Sequence, residues 1–206
     1  MIIITRLIML ASVVTMLVTI QSFASASFEG YIKYEIDVKP LHPELNIAYL
    51  QSLYGTHLTT YYKIGKYKTS IMGGNTDWEL YDSQTNKQYL KLHNKSNVVE
   101  YDGSDEKREL QSIHMENSSD VILGRNTKTL VIEYIDGSKL KYWYDPSIFV
   151  SPEQFEKLRF GYLNRYWETA KSPYLKYERY TKYTIVTHTA TQIERTKLDS
   201  TFFKLK

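Results

Sequence analysis

The chain has 206 residues, no cysteine, and 26 Lys and Arg against 23 Asp and Glu, for a formal net charge of +3. The lack of cysteine excludes disulfides, thiolate metal sites and an N-terminal lipidated cysteine, so any exported form must be held by its core alone. Charges of both signs are mixed throughout, which argues against nucleic acid as a partner because that requires a concentrated basic patch.

The first stretch reads as a targeting segment. Arg6 gives a positive start, residues 7–20 are almost wholly apolar, and Ala24-Ser25-Ala26 has the small-x-small form of a signal-peptidase site. The expectation is a signal peptide over 1–26, cleaved after Ala26, and one mature domain over 27–206 with no integral membrane segment. The rival reading is an uncleaved anchor, since the apolar run approaches the ~20 residues a bilayer needs.

Residues 28–38 alternate strictly. Ile32, Tyr34, Ile36 and Val38 fall on one face and Tyr31, Lys33, Glu35 and Asp37 on the other, the pattern of a strand with one face buried. Residues 43–54 read as a helix, with Pro43 in its first turn, a stripe of Leu45, Ala48, Tyr49, Ser52 and Leu53, and Gly55 as the stop. Residues 58–62 and 67–72 form a predicted hairpin around Ile64-Gly65-Lys66; 78–81 and 87–92 form another; 97–101 and 112–117 are short strands.

The clearest punctuation lies in residues 128–145. Two β-rich runs flank Asp136-Gly137, a dipeptide suited to a type I′ turn, and Pro146 ends the pairing. Ser151-Pro152-Glu153-Gln154 has an N-cap, a proline at N1 and an early acid, which predicts a helix running to about Arg159. Residues 160–170 read as a loop or short helix, and 174–180, 183–188 and 191–198 as three closing strands. The whole is α+β by content: one curved antiparallel sheet with a helical insert or two, without repeat or linker.

Two motifs then carry a resemblance. Ile122-Leu123-Gly124, a strand, Asp136-Gly137, a second strand with Trp143, and Ile148 form one; Phe28-Glu29-Gly30-Tyr31-Ile32-Lys33-Tyr34-Glu35 forms the other. Together they resemble small exported bacterial proteins of the GLPGLI and related uncharacterised families, which are similar in turn to the lipoprotein-localisation-factor (LolA- and LolB-like) superfamily. The resemblance implies a strongly curved antiparallel sheet, an incomplete barrel, with one or two helices on its concave side, and a concave cavity that holds acyl chains in lipid-handling members. It also implies the periplasm of a bacterium, with secretion as the alternative address. Two departures stand out: related sequences often carry a cysteine soon after the Leu-Gly, where this chain has Asn126 and Thr127, and residues 160–170 match no family motif.

No catalytic or metal pattern accompanies this. The five histidines are scattered singly, no G-x-S-x-G elbow exists, and the acid pairs lie two apart on strands. The expectation is therefore a non-enzymatic binding protein without metal or cofactor. Its ligand would be a lipid or lipoprotein acyl chain, met by Tyr34, Trp78, Tyr142, Trp143, Tyr144 and Trp167 as cavity aromatics. The alternative is an envelope protein-interaction or scaffold module, for which the alternating face of residues 174–182 would serve as a wet interface. An enzyme with a composite site is the third reading.

Overall fold

The computed structural model describes residues 26–117 and 120–205. The expected signal peptide, Ala26 apart, lies outside the described residues. Among those described, no helix is long and apolar enough to cross a membrane.

The chain opens with β1 (Gly30–Pro40), α1 (Ile47–Tyr54), β2 (Gly55–Lys63), β3 (Lys66–Gly74), β4 (Thr76–Asp82), β5 (Lys87–Leu92) and β6 (Val98–Asp102). It continues with β7 (Leu110–Glu116), the two-residue strands β8 (Val121–Ile122) and β9 (Arg125–Asn126), β10 (Lys128–Tyr134) and β11 (Lys139–Tyr144). Two 3-10 turns, Pro152–Phe155 and Phe160–Tyr162, lead into α2 (Leu163–Ala170), and β12 (Tyr174–Tyr180), β13 (Thr184–Arg195) and a last 3-10 turn (Ser200–Phe203) follow.

Eleven strands form one antiparallel sheet in the order β6-β5-β4-β3-β2-β1-β13-β12-β11-β10-β7, curved and unclosed. The fold is thus β-dominated, with two short helices. The order resolves into two meanders, β1 to β6 and β7 with β10 to β13, joined where β1 meets β13, while β8 and β9 pair separately. Alternation decides the faces. Ile32, Tyr34, Ile36 and Val38 are buried as their spacing predicts, while Lys33, Glu35 and Asp37 are exposed. Their ladder partners carry the same face outward in both directions: Tyr34 lies opposite Leu58 and Ala190, and Ile36 opposite His188.

Gly30 fixes the start of β1. Its φ is +150°, and a Cβ there would stand 2.0 Å from the Glu194 carbonyl oxygen. Gly30→Ala is expected to lower stability by at least about 2 kcal/mol, through backbone strain and the forced separation of β1 from β13; the urea unfolding midpoint reads it, and an unchanged midpoint would show that the two strands part there without cost.

Several local expectations are corrected. The early helix starts at Ile47, not at Pro43: Asn46 Oδ1 accepts from the Tyr49 N–H (3.0 Å) and so sets the cap, while Leu45 N–H closes a separate turn onto His42 O (3.1 Å). That cap, with Gly55 at φ +83° as the stop, rotates the inward stripe to Leu50, Leu53 and Tyr54 and leaves Ala48, Tyr49 and Ser52 exposed. The turn at Asp136-Gly137 is not type I′. Gly137 has φ +78°, but Asp136 is absent from the positive-φ residues. Gly137 N–H donates to Tyr134 O and Tyr134 N–H to Ser138 O (both 3.0 Å), the three-residue loop with a glycine bulge. Asp136 stays in the ordinary region because its carboxylate accepts from the Ser138 N–H (2.8 Å).

The helix expected from Pro152 to Arg159 is a single 3-10 turn. Ser151 makes no side-chain cap to the backbone, its hydroxyl being taken by Glu153. The helix of this region is α2 instead. Finally, residues 183–198 do not fold back at Thr189-Ala190. They make one 12-residue strand, β13, with a bulge. Lys33 pairs with Gln192 and Tyr34 with Ala190, so Thr191 is the extra residue. The bulge shifts the alternation from Val186, His188 and Ala190 to Ile193, a phase change that mimics a turn in the sequence.

Candidate ligand cavity

The concave face carries a cavity of about 640 Å³. Its aliphatic wall comes from β2, β3 and β5 through Leu58, Ile71 and Leu90, and its aromatic wall from β11 and β12 through Tyr142 and Tyr177. The two short helices shape the mouth: α1 contributes Leu53 and Tyr54, and α2 contributes Tyr166 and Trp167.

The placement of α2 follows from its sequence. Tyr166, Trp167 and Ala170 share the buried stripe, whereas Arg165 and Glu168 pair in solvent. Trp167 stacks on Phe155 of the preceding 3-10 turn, with ring centroids 4.4 Å apart and planes 20° apart, and meets Tyr62 edge-on at 6.2 Å. Tyr166 sits 4.4 Å from Tyr142 and donates its hydroxyl to Ser172 O (2.7 Å). The helix therefore plugs one part of the concave face and leaves the rest open as the cavity.

Polar residues interrupt these walls, among them Glu79 on β4, Arg179 on β12 and His188 on β13, with Gln88, Glu106, Lys107 and Arg108 also in the lining. His188 faces Tyr177 across the ladder, with rings 5.1 Å apart, and Arg179 is the diagonal neighbour on the same face. Arg179 lays its guanidinium over the Tyr54 ring at 5.2 Å. Glu79 lies five strand positions from β12, about 24 Å along a flat sheet at ~4.8 Å per strand. Both nevertheless line the same cavity, which places the two on facing walls of the curved sheet.

Burial sets the charges. Glu79 keeps an exposed side chain yet is surrounded by protein, as expected inside a wide cavity, and burial raises its carboxyl despite Arg179. Burial, reinforced by Arg179, lowers His188 to about 3, so its imidazole is neutral at physiological pH. Burial pushes the phenols of Tyr142 and Tyr166 well above their ordinary range, so both stay neutral. Arg179 carries the permanent positive charge among these three side chains. Among the described residues no group of three or more His, Cys, Asp or Glu side chains is placed to hold a metal.

The six aromatics singled out from the sequence separate into three sets. Tyr142 and Trp167 line the cavity. Tyr34 and Tyr144 belong to the core beside it: Tyr34 donates its hydroxyl to Tyr174 O (2.8 Å), and Tyr144 meets Tyr166 edge-on at 6.4 Å. Trp78 and Trp143 point to the convex side. Trp143 alternates with Tyr142 and lies between the ammonium groups of Lys141 (4.8 Å) and Lys176 (4.2 Å). Trp78 shares the Lys68 ammonium, 4.9 Å from its ring, with Phe202 of the last 3-10 turn.

Glu79, Arg179 and His188 were not among the residues expected at a site. In the run 174–182, whose alternation suits a wet interface, Tyr177 and Arg179 face the cavity and Lys176 and Glu178 pair on the opposite face at 3.0 Å. The alternation was visible in the sequence; which side faced inward was not.

No protein-family model matches the chain, and no curated protein matches it. Eight chains of solved structures do match. One, from a structure titled PNGF-II in the C2 space group, has a TM-score of 0.46 and 14% identity. The match covers 84% of this chain and 29% of that one, so this chain spans less than a third of its length. The fold and cavity define a β-dominated protein whose curved antiparallel sheet is lined with aromatic rings on its concave side.

Proposed function

We propose that the protein is a non-enzymatic binding protein of the bacterial cell envelope, exported to the periplasm, whose half-barrel sheet of LolA-like type takes the acyl chain of a lipid or lipoprotein. The observation that supports this reading is the 640 Å³ concave cavity walled by aliphatic and aromatic side chains. That volume falls in the range of small-molecule sites, which are mostly apolar with a few placed polar groups. Burial of ten methylenes contributes roughly 8 kcal/mol before the costs of ordering are subtracted, enough for useful affinity. The interaction-module alternative rests on the two open sheet edges, β6 and β7.

The test is native mass spectrometry on residues 27–206 purified without detergent, followed by titration with dodecanol. A one-to-one complex and saturable quenching of tryptophan emission are expected, because Trp167 lines the cavity. A bare mass together with no binding of the added amphiphile would overturn the reading and turn attention to the sheet edges.

A further inference from the structure

The described residues contain five buried polar side-chain atoms with no hydrogen-bond partner in the protein. Three of them, Arg179 Nε, His188 Nδ1 and Trp167 Nε1, belong to residues that line the concave cavity. Buried polar atoms are nearly always satisfied, and leaving one unpaired costs free energy. These three atoms are themselves covered by protein; what a ligand in the cavity can reach is the outer edge of the Arg179 guanidinium and of the His188 ring.

The charge at this site is unbalanced in a specific way. Among the described residues Arg179 has no ion pair; Glu178, next to it in sequence, pairs with Lys176 on the other face. Glu79 lines the same cavity but stands beyond ion-pair distance of Arg179. Arg108, the other arginine of the lining, is already engaged: it donates to Ser138 Oγ (3.0 Å) and lies 5.1 Å over the Tyr134 ring. One unpaired guanidinium beside a neutral imidazole matches a single negative charge on a flat, two-oxygen group. A carboxylate can accept in parallel from a guanidinium fork. A phosphate dianion would leave one of its charges uncompensated here.

We infer that the cavity selects a monocarboxylate with an apolar tail, a free fatty acid in chemical class, its carboxylate seated on Arg179 and His188 and its chain running past Trp167. This rests on the acyl-binding reading and narrows it, because an ester- or amide-linked acyl chain carries no such group.

The test compares dodecanoate, dodecanol and methyl dodecanoate by calorimetry at pH 7.5 on the unmodified protein, residues 27–206. Arg179→Met and Arg179→Lys follow, with circular-dichroism melts to confirm folding. Dodecanoate is expected to bind at least tenfold more tightly than the alcohol or the ester. Arg179→Met is expected to remove that preference, so that dodecanoate binds no more tightly than dodecanol or the ester. Equal binding of all three ligands to the unmodified protein would overturn the carboxylate assignment and leave the acyl-binding reading standing. Binding of none of them would overturn both. Should Arg179→Met fail to fold, Arg179→Lys, which keeps the charge and loses the fork, is expected to show a reduced preference, and the ligand series on the unmodified protein decides the matter without any variant.

Discussion

Trp167→Ala is expected to destabilise the protein by about 3–5 kcal/mol, the range for removing a buried tryptophan from a packed core. The indole is 4% exposed and has three aromatic neighbours: Phe155 at 4.4 Å, Tyr166 at 5.3 Å and Tyr62 at 6.2 Å. These neighbours belong to a 3-10 turn, to α2 itself and to β2, so the ring ties the helical segment to the sheet. Its loss leaves a hole that only α2 could close, and α2 is held by few other groups of that size. Urea unfolding with a conserved slope measures the effect. A change below about 1 kcal/mol would mean that α2 does not contribute to global stability and opens independently of the sheet.

Acidification is expected to destabilise the wild-type protein through His188. Its folded-state pKa is lowered to about 3 by burial and by Arg179, against an ordinary value of 6.5. Tyr177 packs against its ring at a tilt from β12, Arg179 brings positive charge from the same strand, and Ile36 is its ladder partner on β1. As pH falls through 6.5, the unfolded chain takes up a proton that the folded chain refuses. Stability is therefore lost between about pH 6.5 and 3, at up to about 1.4 kcal/mol per pH unit, with water in the cavity reducing that slope. His188→Leu should abolish this contribution, so its unfolding free energy should depend less on pH than that of the wild type across pH 6.5 to 4.5. Parallel pH profiles for the two proteins would show that His188 titrates in the folded state as it does in the unfolded one.

Both expectations concern side chains whose roles the sequence disclosed unequally. The faces of β1 were legible because apolar and charged residues alternate without interruption from Tyr31 to Val38. Trp143 and Tyr142 show where reading by residue type misleads. Adjacent strand residues point to opposite faces, so the two could not both line a concave surface, and the pairing of Trp143 with lysines at 141 and 176 marks the wet side. Arg179 and Glu79 were hidden for another reason. They are 100 positions apart, and only the curvature of the sheet turns their strands toward each other. His188 was hidden by the bulge at Thr191, which breaks the alternation that would have joined it to the buried face of a single long strand. Trp167 lay in a stretch without caps: α2 is entered through Tyr162 and left through Lys171, both in left-handed backbone that their residue types do not announce.

The seam between β1 and β13 governs how the protein can assemble. Each meander is built mostly from neighbouring strands, and such local pairings close at little entropic cost. The seam instead joins Gly30 to Arg195 and Pro40 to Thr184, the contacts of greatest sequence separation in the sheet. Loop-closure entropy must be overcome before any of these ladder bonds form. A chain emerging N-terminus first holds six strands of sheet with β1 as a bare edge until β13 is released. The polar group of the cavity is divided across that edge, with Glu79 before it and Arg179 and His188 after it. Neither half alone contains the cavity, and the last strand to be synthesised completes it.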